Sequence, residues 1–160
     1  MQTPQVPEPS VGRARSILER VFVPVDLSME SHRAVGVALA LQRFLHAAVC
    51  LFYVAEPDAT NDYLGGIGSP ATMGDWLAAS EERLRRFFVN LVPGYPLPVE
   101  LRASVDINVP RLVEREARTW GASMVVVTAD VHTRFFRSEA ERWIRDFELP
   151  MLVIPRRPTS

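Results

Sequence analysis

The stretch Val21-Phe22-Val23-Pro24-Val25-Asp26 decides the fold of this chain. It is an apolar run that follows Glu19 and Arg20 and stops at a carboxylate, after which Leu27-Ser28-Met29-Glu30 opens a long helical pattern. A short apolar run of this kind predicts a strand covered on both faces, as in a parallel sheet packed between helices. Ligands of open α/β sheets bind at the carboxyl ends of the strands, so Asp26 is the first candidate for a functional residue.

The composition is that of a single globular domain of 160 residues, with 48% hydrophobic and 23% charged residues. A net charge of −1 provides no general attraction to nucleic acid or to an anionic membrane. All 18 basic residues are arginine, which excludes a catalytic lysine and the lysine of a phosphate-binding P-loop. The apolar run from Ala34 to Leu41 is too short to cross a bilayer.

Cysteine and histidine are sparse. Cys50 is the only cysteine, so a disulfide framework is excluded and a cytoplasmic location is favoured. Its apolar neighbours predict a buried, inert thiol. The 3 histidines are scattered, and together with one cysteine they do not form a zinc-binding set.

The chain divides into a proline-containing segment over residues 1–16, predicted to be a flexible tail, and a single domain over residues 17–160. Within the domain, strand and helix patterns alternate. Strands are predicted over 21–26, 49–55, 99–105, 124–127 and 151–154, and helices after Ser28, over 75–91, after Asn108 and after Ser138. The polar, glycine-rich connection over 57–74 is predicted to be disordered rather than functional.

Helix ends and helix faces are also predicted by local patterns. Ser28 and Asn108 are predicted N-caps, Gly121 is a predicted C-cap, and Ser138-Glu139-Ala140-Glu141 is a capping box for the last helix. The residues predicted to face inward are Ala34, Val35, Val37, Ala38, Leu41, Phe44 and Leu45 in the first helix, and Trp76, Leu77, Leu84, Phe87 and Phe88 in the second.

This alternation predicts an α/β fold with a parallel sheet. Right-handed crossovers leave few topologies, of which the five-stranded order 3-2-1-4-5 with helices on both faces is the commonest. The first strand is then central, and a crevice opens between strands one and four. Asp26 faces Thr128-Ala129-Asp130-Val131 across this crevice.

In the order and spacing of these segments, the chain resembles the universal stress protein family from Arg20 to Arg157. The segments that carry the resemblance are Val23 to Ser28 with Ser31 and Ala34, Val54, the stretch from Glu114 to Val127, and Ser138 to Arg145 followed by Leu149 to Ile154. The resemblance implies a Rossmann-like fold that binds adenine nucleotides. It also implies dimers formed through the last strand, here Met151, Leu152, Val153 and Ile154. The ligand-binding positions that it implies are Pro24, Val25, Asp26, Val54, Thr128, Ala129, Asp130, Arg137 and Ser138.

The phosphate loop departs from the family. Nucleotide-binding members carry Gly-x-x-Gly, nine residues, then Gly-Ser/Thr, whose backbone N–H groups approach the phosphates closely. Here Thr128 and Val131 occupy the first two glycine positions, Arg137 precedes Ser138, and no glycine follows Gly121. The segment from Thr128 to Arg137 is also shorter than the family's phosphate loop. A second carboxylate, Asp130 beside Asp26, adds repulsion toward a triphosphate. The sequence therefore predicts that the usual ATP site is absent.

Several candidate residues keep two interpretations. Asp26 either accepts hydrogen bonds from a nucleoside or simply ends the strand and caps the next turn. Ser138 is either a helix N-cap or a phosphate contact, and Arg134 and Arg137 either bind an anion in place of the glycines or are solvated. His132 lies near no evident nucleophile, and the chain has no Gly-x-Ser-x-Gly motif, so a non-enzymatic protein is predicted.

Two functional hypotheses follow. The first is a cytoplasmic stress-response protein without a cofactor, which acts as a homodimer through protein contacts. Its last strand, Met151 to Ile154, offers an apolar edge for that dimer. The second is a sensor that still binds AMP or ATP through a variant phosphate loop. Hydrolysis of a bound nucleotide is disfavoured because no base or metal set is recognisable.

Overall fold

The structure is a computed structural model that describes residues 18–55, 72–106, 108–130 and 147–157. In chain order the elements are β1 (Arg20–Val25), α1 (Ser31–Leu45), β2 (Ala48–Ala55), α2 (Met73–Leu91), β3 (Glu100–Val105), α3 (Val109–Trp120), β4 (Met124–Thr128) and β5 (Met151–Ile154). The predicted tail over 1–16, most of the connection over 57–74, and the predicted capping box with its helix lie outside the described residues.

The strands form one five-stranded parallel sheet in the order β3-β2-β1-β4-β5, which confirms the predicted topology. The central strand pairs unequally with its two neighbours. Its ladder with β2 runs from Arg20↔Ala48 to Val25↔Tyr53. Its ladder with β4 comprises only Val21↔Met124 and Phe22↔Val125. The ladder with β4 therefore ends before Pro24, which has no N–H to donate within a sheet. Beyond that point β1 and β4 are not paired, and a crevice can open.

Side chains that alternate along the central strand divide the core into two layers. Phe22 joins the layer covered by α3, where it lies against Phe52 and Trp120 with ring centroids 5.3 and 6.1 Å away. Val21, Val23 and Val25 join the layer covered by α1 and α2. Helices therefore cover both faces of the sheet, as predicted, and every residue of β1 from Val21 to Val25 is buried.

The first helix differs from its prediction at both ends. It begins at Ser31, and the residue at its N-cap, Glu30, makes no capping bond with its side chain. Ser28 is therefore not the cap, because its hydroxyl bonds to Asp26 instead. At the other end, Phe44 is 79% exposed and Leu45 is 50% exposed, so their predicted inward positions are wrong. Gln42 in the same turn is buried, so the helix still packs on the core there, and Phe44 and Leu45 lie on its exposed side.

The second helix begins at Met73 rather than Asp75, because Thr72 and Asp75 form a capping box. The Thr72 hydroxyl accepts a hydrogen bond from the backbone N–H of Asp75 (3.2 Å), and the Asp75 carboxylate accepts one from the backbone N–H of Thr72 (2.9 Å). Leu84 is buried as predicted, whereas Leu77 is 36% exposed, so its predicted inward position is wrong.

The third helix has the predicted ends but not the predicted cap bond. Asn108 occupies the N-cap position, yet its side chain makes no capping hydrogen bond. Gly121 ends the helix in the left-handed region with φ 78°, which confirms the predicted C-cap.

Cys50, the third residue of β2, is fully buried, as predicted. Burial, reinforced by the negative charge of Glu100, raises the pKa of its thiol from an ordinary value of 9.0 to about 12. The thiolate is therefore scarce at neutral pH, and a nucleophilic role for Cys50 is disfavoured.

Candidate functional site at the carboxyl edge of the sheet

Asp26 follows β1 directly and organises the turn that leads into α1. Its Oδ1 atom accepts hydrogen bonds from the backbone N–H of Ser28 (3.0 Å), from the Ser31 hydroxyl (2.6 Å) and from the Ser28 hydroxyl. The Ser31 hydroxyl in turn accepts from the backbone N–H of Asp26 (3.1 Å). Ser31 is fully buried, so this carboxylate satisfies a polar group that has no access to water.

The same turn contains a strained residue. Leu27 has φ 61°, in the left-handed region, which costs a residue other than glycine about 1–3 kcal/mol. The bonds from Asp26 to both following serines hold this conformation, and the Leu27 side chain packs on the core layer covered by α1 and α2. Strain of this kind clusters at ligand sites, and it supports the choice of this edge as the candidate site.

The end of β4 supplies the opposite side of the crevice. Thr128 is buried, and Asp130 lies within 2.5 Å of the Arg156 guanidinium, measured from Oδ1 to Nε. The side chains of Asp130 and Arg156 are 34% and 65% exposed. The predicted repulsion by Asp130 is therefore offset in part by a cation that the sequence did not indicate. The only feature that could have pointed to Arg156 is that β4 and β5, as parallel neighbours, end at the same edge of the sheet.

A second arginine reaches this edge from α1. Arg33, in the first turn of the helix, donates a hydrogen bond to the backbone carbonyl of Pro155, just after β5. Arg33 was not among the predicted site residues either. Guanidinium groups from two elements, Arg33 and Arg156, therefore lie where the strands end.

Most of the predicted site residues come together. Seven of them stand at the carboxyl ends of the three central strands: Pro24, Val25 and Asp26 at β1, Val54 at β2, and Thr128, Ala129 and Asp130 at β4. The pairing of Val25 with Tyr53 places Val54 one position further along, level with Asp26. Pro24, Val25, Val54 and Thr128 are buried, so the side chains of this set that are partly accessible are Asp26, Ala129 and Asp130. Arg137 and Ser138, together with His132 and Arg134, lie outside the described residues.

Residues 18–55, 72–106, 108–130 and 147–157 contain no group of three or more His, Cys, Asp or Glu that could hold a metal ion. Among the helices of those same ranges, none is long and apolar enough to cross a membrane.

The sequence profile of the universal stress protein family matches residues 18–155. The chain belongs to the universal stress protein family. This match covers all eight described elements, and it confirms the resemblance on which the site residues were chosen. No protein with a curated function matches the chain.

Solved structures of family members have the same fold. A universal stress protein from Burkholderia pseudomallei is 26% identical, with a TM-score of 0.63 over 88% of this chain and 98% of that chain. A universal stress protein in complex with cAMP is 19% identical, with a TM-score of 0.58 over 86% and 96%. The Archaeoglobus fulgidus protein in complex with dAMP is 17% identical, with a TM-score of 0.55 over 85% and 97%.

Proposed function

We propose that this universal stress protein is a cytoplasmic, non-enzymatic homodimer that acts through protein contacts and does not bind ATP in the way usual for the family. The observation that carries the proposal is the missing phosphate loop: Thr128 and Val131 replace its first glycines, and no glycine follows Gly121. Thr128 is 2% exposed at the end of β4, so a buried side chain stands where a glycine backbone would approach phosphate.

Calorimetric titration of ATP into the full chain tests this proposal, with mass spectrometry of the supernatant after denaturation. We expect no co-purified nucleotide and no binding tighter than about 1 mM, which corresponds to a binding free energy of about −4 kcal/mol. Micromolar ATP binding that is lost in Asp26→Ala and kept in Leu77→Ala would overturn the proposal. Leu77 is a suitable control because it is exposed on α2 and belongs to no predicted site.

A second candidate function is the sensing of an adenine mononucleotide at the same edge. Two observations favour it: Arg33 and Arg156 lie where the strands end, and two proteins of the same fold were solved with cAMP and dAMP. A single phosphate needs less backbone than a triphosphate chain, and two guanidinium groups can supply bidentate contacts to it. Asp26 would then hold the nucleoside, with Pro24, Val25 and Val54 beneath it.

Titration of AMP separates the two candidates. Sensing predicts micromolar binding of AMP that weakens about 10- to 100-fold in Arg156→Ala, because one charge-assisted contact worth about 1.5–3 kcal/mol is lost. Arg157→Ala is the matched control, because Arg157 is the next residue and is also exposed. The absence of AMP binding would exclude the sensing function and leave only the first proposal.

The dimer is proposed from the edge of β5, the outermost strand of the sheet among the described residues. This strand is four residues long and pairs with β4, and Leu152 and Val153 are 39% and 41% exposed. An apolar outer edge of this kind offers unpaired backbone groups and side chains to a second strand. Two copies related by a twofold axis would cover both edges at once.

Light scattering after gel filtration at micromolar concentration measures the oligomeric state. We expect a dimer for the unmodified chain and for Leu77→Lys, and a monomer for Val153→Lys, because a lysine on the edge cannot be buried without loss of its hydration. A monomeric unmodified chain would contradict the proposal. So would a Val153→Lys protein that remained dimeric.

A further inference from the structure

The two arginines at the carboxyl edge of the sheet both contact oxygen atoms of the protein itself. Arg33 of α1 donates a hydrogen bond to the backbone carbonyl of Pro155. Arg156 forms an ion pair with Asp130, just after the end of β4, and 2.5 Å separate Nε from Oδ1. A phosphate that binds at this edge therefore meets cations that already have internal partners.

These two internal partners differ in charge. The Pro155 carbonyl is neutral, and a guanidinium has five N–H donors, so Arg33 can keep this bond and still donate to another acceptor. The Asp130 carboxylate carries a full negative charge. Carboxylates and phosphates are the two anions whose geometry suits a guanidinium. Of the two partners, Asp130 is therefore the one that resembles a ligand phosphate.

The ion pair between Asp130 and Arg156 is accessible enough to open. The two side chains are 34% and 65% exposed, so water can solvate both ions when they separate. An exposed pair of this kind shifts an equilibrium by no more than about fivefold. A phosphate monoester carries a charge of about −1.5 to −2 at pH 7, compared with −1 for a carboxylate. A bound phosphate can therefore take the place of Asp130 at the guanidinium.

We propose that Asp130 competes with the phosphate of an adenine mononucleotide for Arg156, so that the ligand binds by opening this ion pair. The proposal rests on the second candidate function, the sensing of a mononucleotide, and adds a specificity-determining residue to that site. The competition weakens the binding of any small anion at Arg156. A mononucleotide offsets this loss through its nucleoside, which contacts Asp26, whereas inorganic phosphate has no such contact. Asp130 thus favours nucleotides over free phosphate.

Calorimetric titration of AMP into the full chain and into Asp130→Asn tests the proposal. Asparagine keeps the shape of the side chain and removes its charge. We expect Asp130→Asn to bind AMP about threefold to fivefold more tightly than the unmodified chain, because the competing ion pair is lost. Urea midpoints show that the variant is folded.

Glu148→Gln is the matched control. It removes the same charge from another exposed ion pair, between Glu148 and Arg118 (3.0 Å), which lies before the amino end of β5. The net charge of the chain therefore changes equally in both variants. Glu148→Gln should leave the affinity for AMP within twofold of that of the unmodified chain.

The same substitution in an Arg156→Ala background shows whether Asp130 acts through Arg156. Without the guanidinium there is no cation to compete for, so Asp130→Asn should then tighten AMP binding by less than twofold. A gain of equal size in both backgrounds would mean that Asp130 only repels the ligand through the solvent. That result would overturn the proposal.

The titrations separate the competing carboxylate from the sensing function. If AMP binds the unmodified chain and Asp130→Asn equally tightly, sensing is supported and the competition is excluded. If AMP binds only Asp130→Asn, the competition is supported and sensing by the unmodified chain is excluded. If AMP binds neither chain, both proposals fail. Weaker binding by Asp130→Asn would make Asp130 a contact of the ligand and would also overturn the competition.

Discussion

The two ends of β1 both carry polar clusters, but the clusters are built in different ways. At the carboxyl end, Asp26 bonds to Ser28 and Ser31, partners no more than five residues away. At the amino end, Arg20 bonds through its backbone N–H to the Ser123 hydroxyl and through its guanidinium to the Trp120 carbonyl, 103 and 100 residues away. The bonds of Arg20 at the amino end therefore form only when the whole sheet is assembled, whereas the bonds from Asp26 to Ser28 and Ser31 form within one turn. The turn at Asp26 can therefore change without loss of the fold.

The comparison predicts its largest effect at Trp120. Trp120→Ala removes a side chain that is 7% exposed, packed on Phe22 and bonded to Glu100, so unfolding should become easier by about 3–5 kcal/mol. Urea denaturation measures the change. Trp76→Ala, at a half-buried tryptophan on α2, should cost clearly less. Equal losses would mean that the amino end is not the more important cluster.

Cys50 makes the stability near the amino ends of the strands depend on pH. Its pKa is raised by burial from 9.0 to about 12, so the folded state holds the thiol proton more tightly than the unfolded state. This contribution to the free energy of unfolding is fully present below pH 9 and is lost as the pH rises from 9 toward 12. The slope is about 1.4 kcal/mol per pH unit. The decline should be shallower by that slope in Cys50→Ala, as measured by urea unfolding at pH 8, 9 and 10. Parallel declines would contradict a buried thiol.

A smaller effect is expected at the carboxyl end. Asp26→Ala removes the acceptor for Ser28 and Ser31 and should lower the free energy of unfolding by about 1–2 kcal/mol, as loss of a helix cap does. Thermal and urea unfolding measure it. Asp26→Asn keeps an acceptor oxygen and should recover part of the loss. A loss as large as that of Trp120→Ala would remove the distinction between the two ends.

The smallest effect is expected for the ion pair between Asp130 and Arg156, because both groups are partly exposed. A double-mutant cycle with Asp130→Ala and Arg156→Ala should give a coupling of about 0.2–1 kcal/mol in low salt. Raising the salt to about 1 M shortens the screening length to about 3 Å and should remove most of this coupling. A coupling that persists in high salt would show that the crevice excludes water.

The fold could be predicted because its signals are local. Each strand is a short apolar run and each helix a separate stripe, so the alternation identified the parallel sheet and its order. The predictions that were wrong concern residues whose surroundings are set by other parts of the fold. The stripe of α1 did not show that Phe44 and Leu45 lie on the exposed side of its last turn. Ser28 appeared to be a cap because the competing bond to Asp26 depends on a left-handed Leu27.

The candidate site was predicted only in part, for a related reason. Asp26 ends a strand, which is visible in the sequence, and so is the presence of Thr128 and Val131 at the first two glycine positions of the family's loop. Arg33 and Arg156 were missed because their partners, Pro155 and Asp130, lie 122 and 26 residues away along the chain. No periodic pattern connects such positions.

Pro24 lies just beyond the point where the pairing between β1 and β4 ends. Because the ladder between β1 and β4 ends before a residue that cannot donate a hydrogen bond, the gap is encoded in the backbone and does not depend on a bound molecule. A chain without the glycine-rich phosphate loop therefore still has a gap between the ends of β1 and β4. Substitutions confined to the flanking loops can then exchange one occupant for another, while the strands that carry the fold stay as they are.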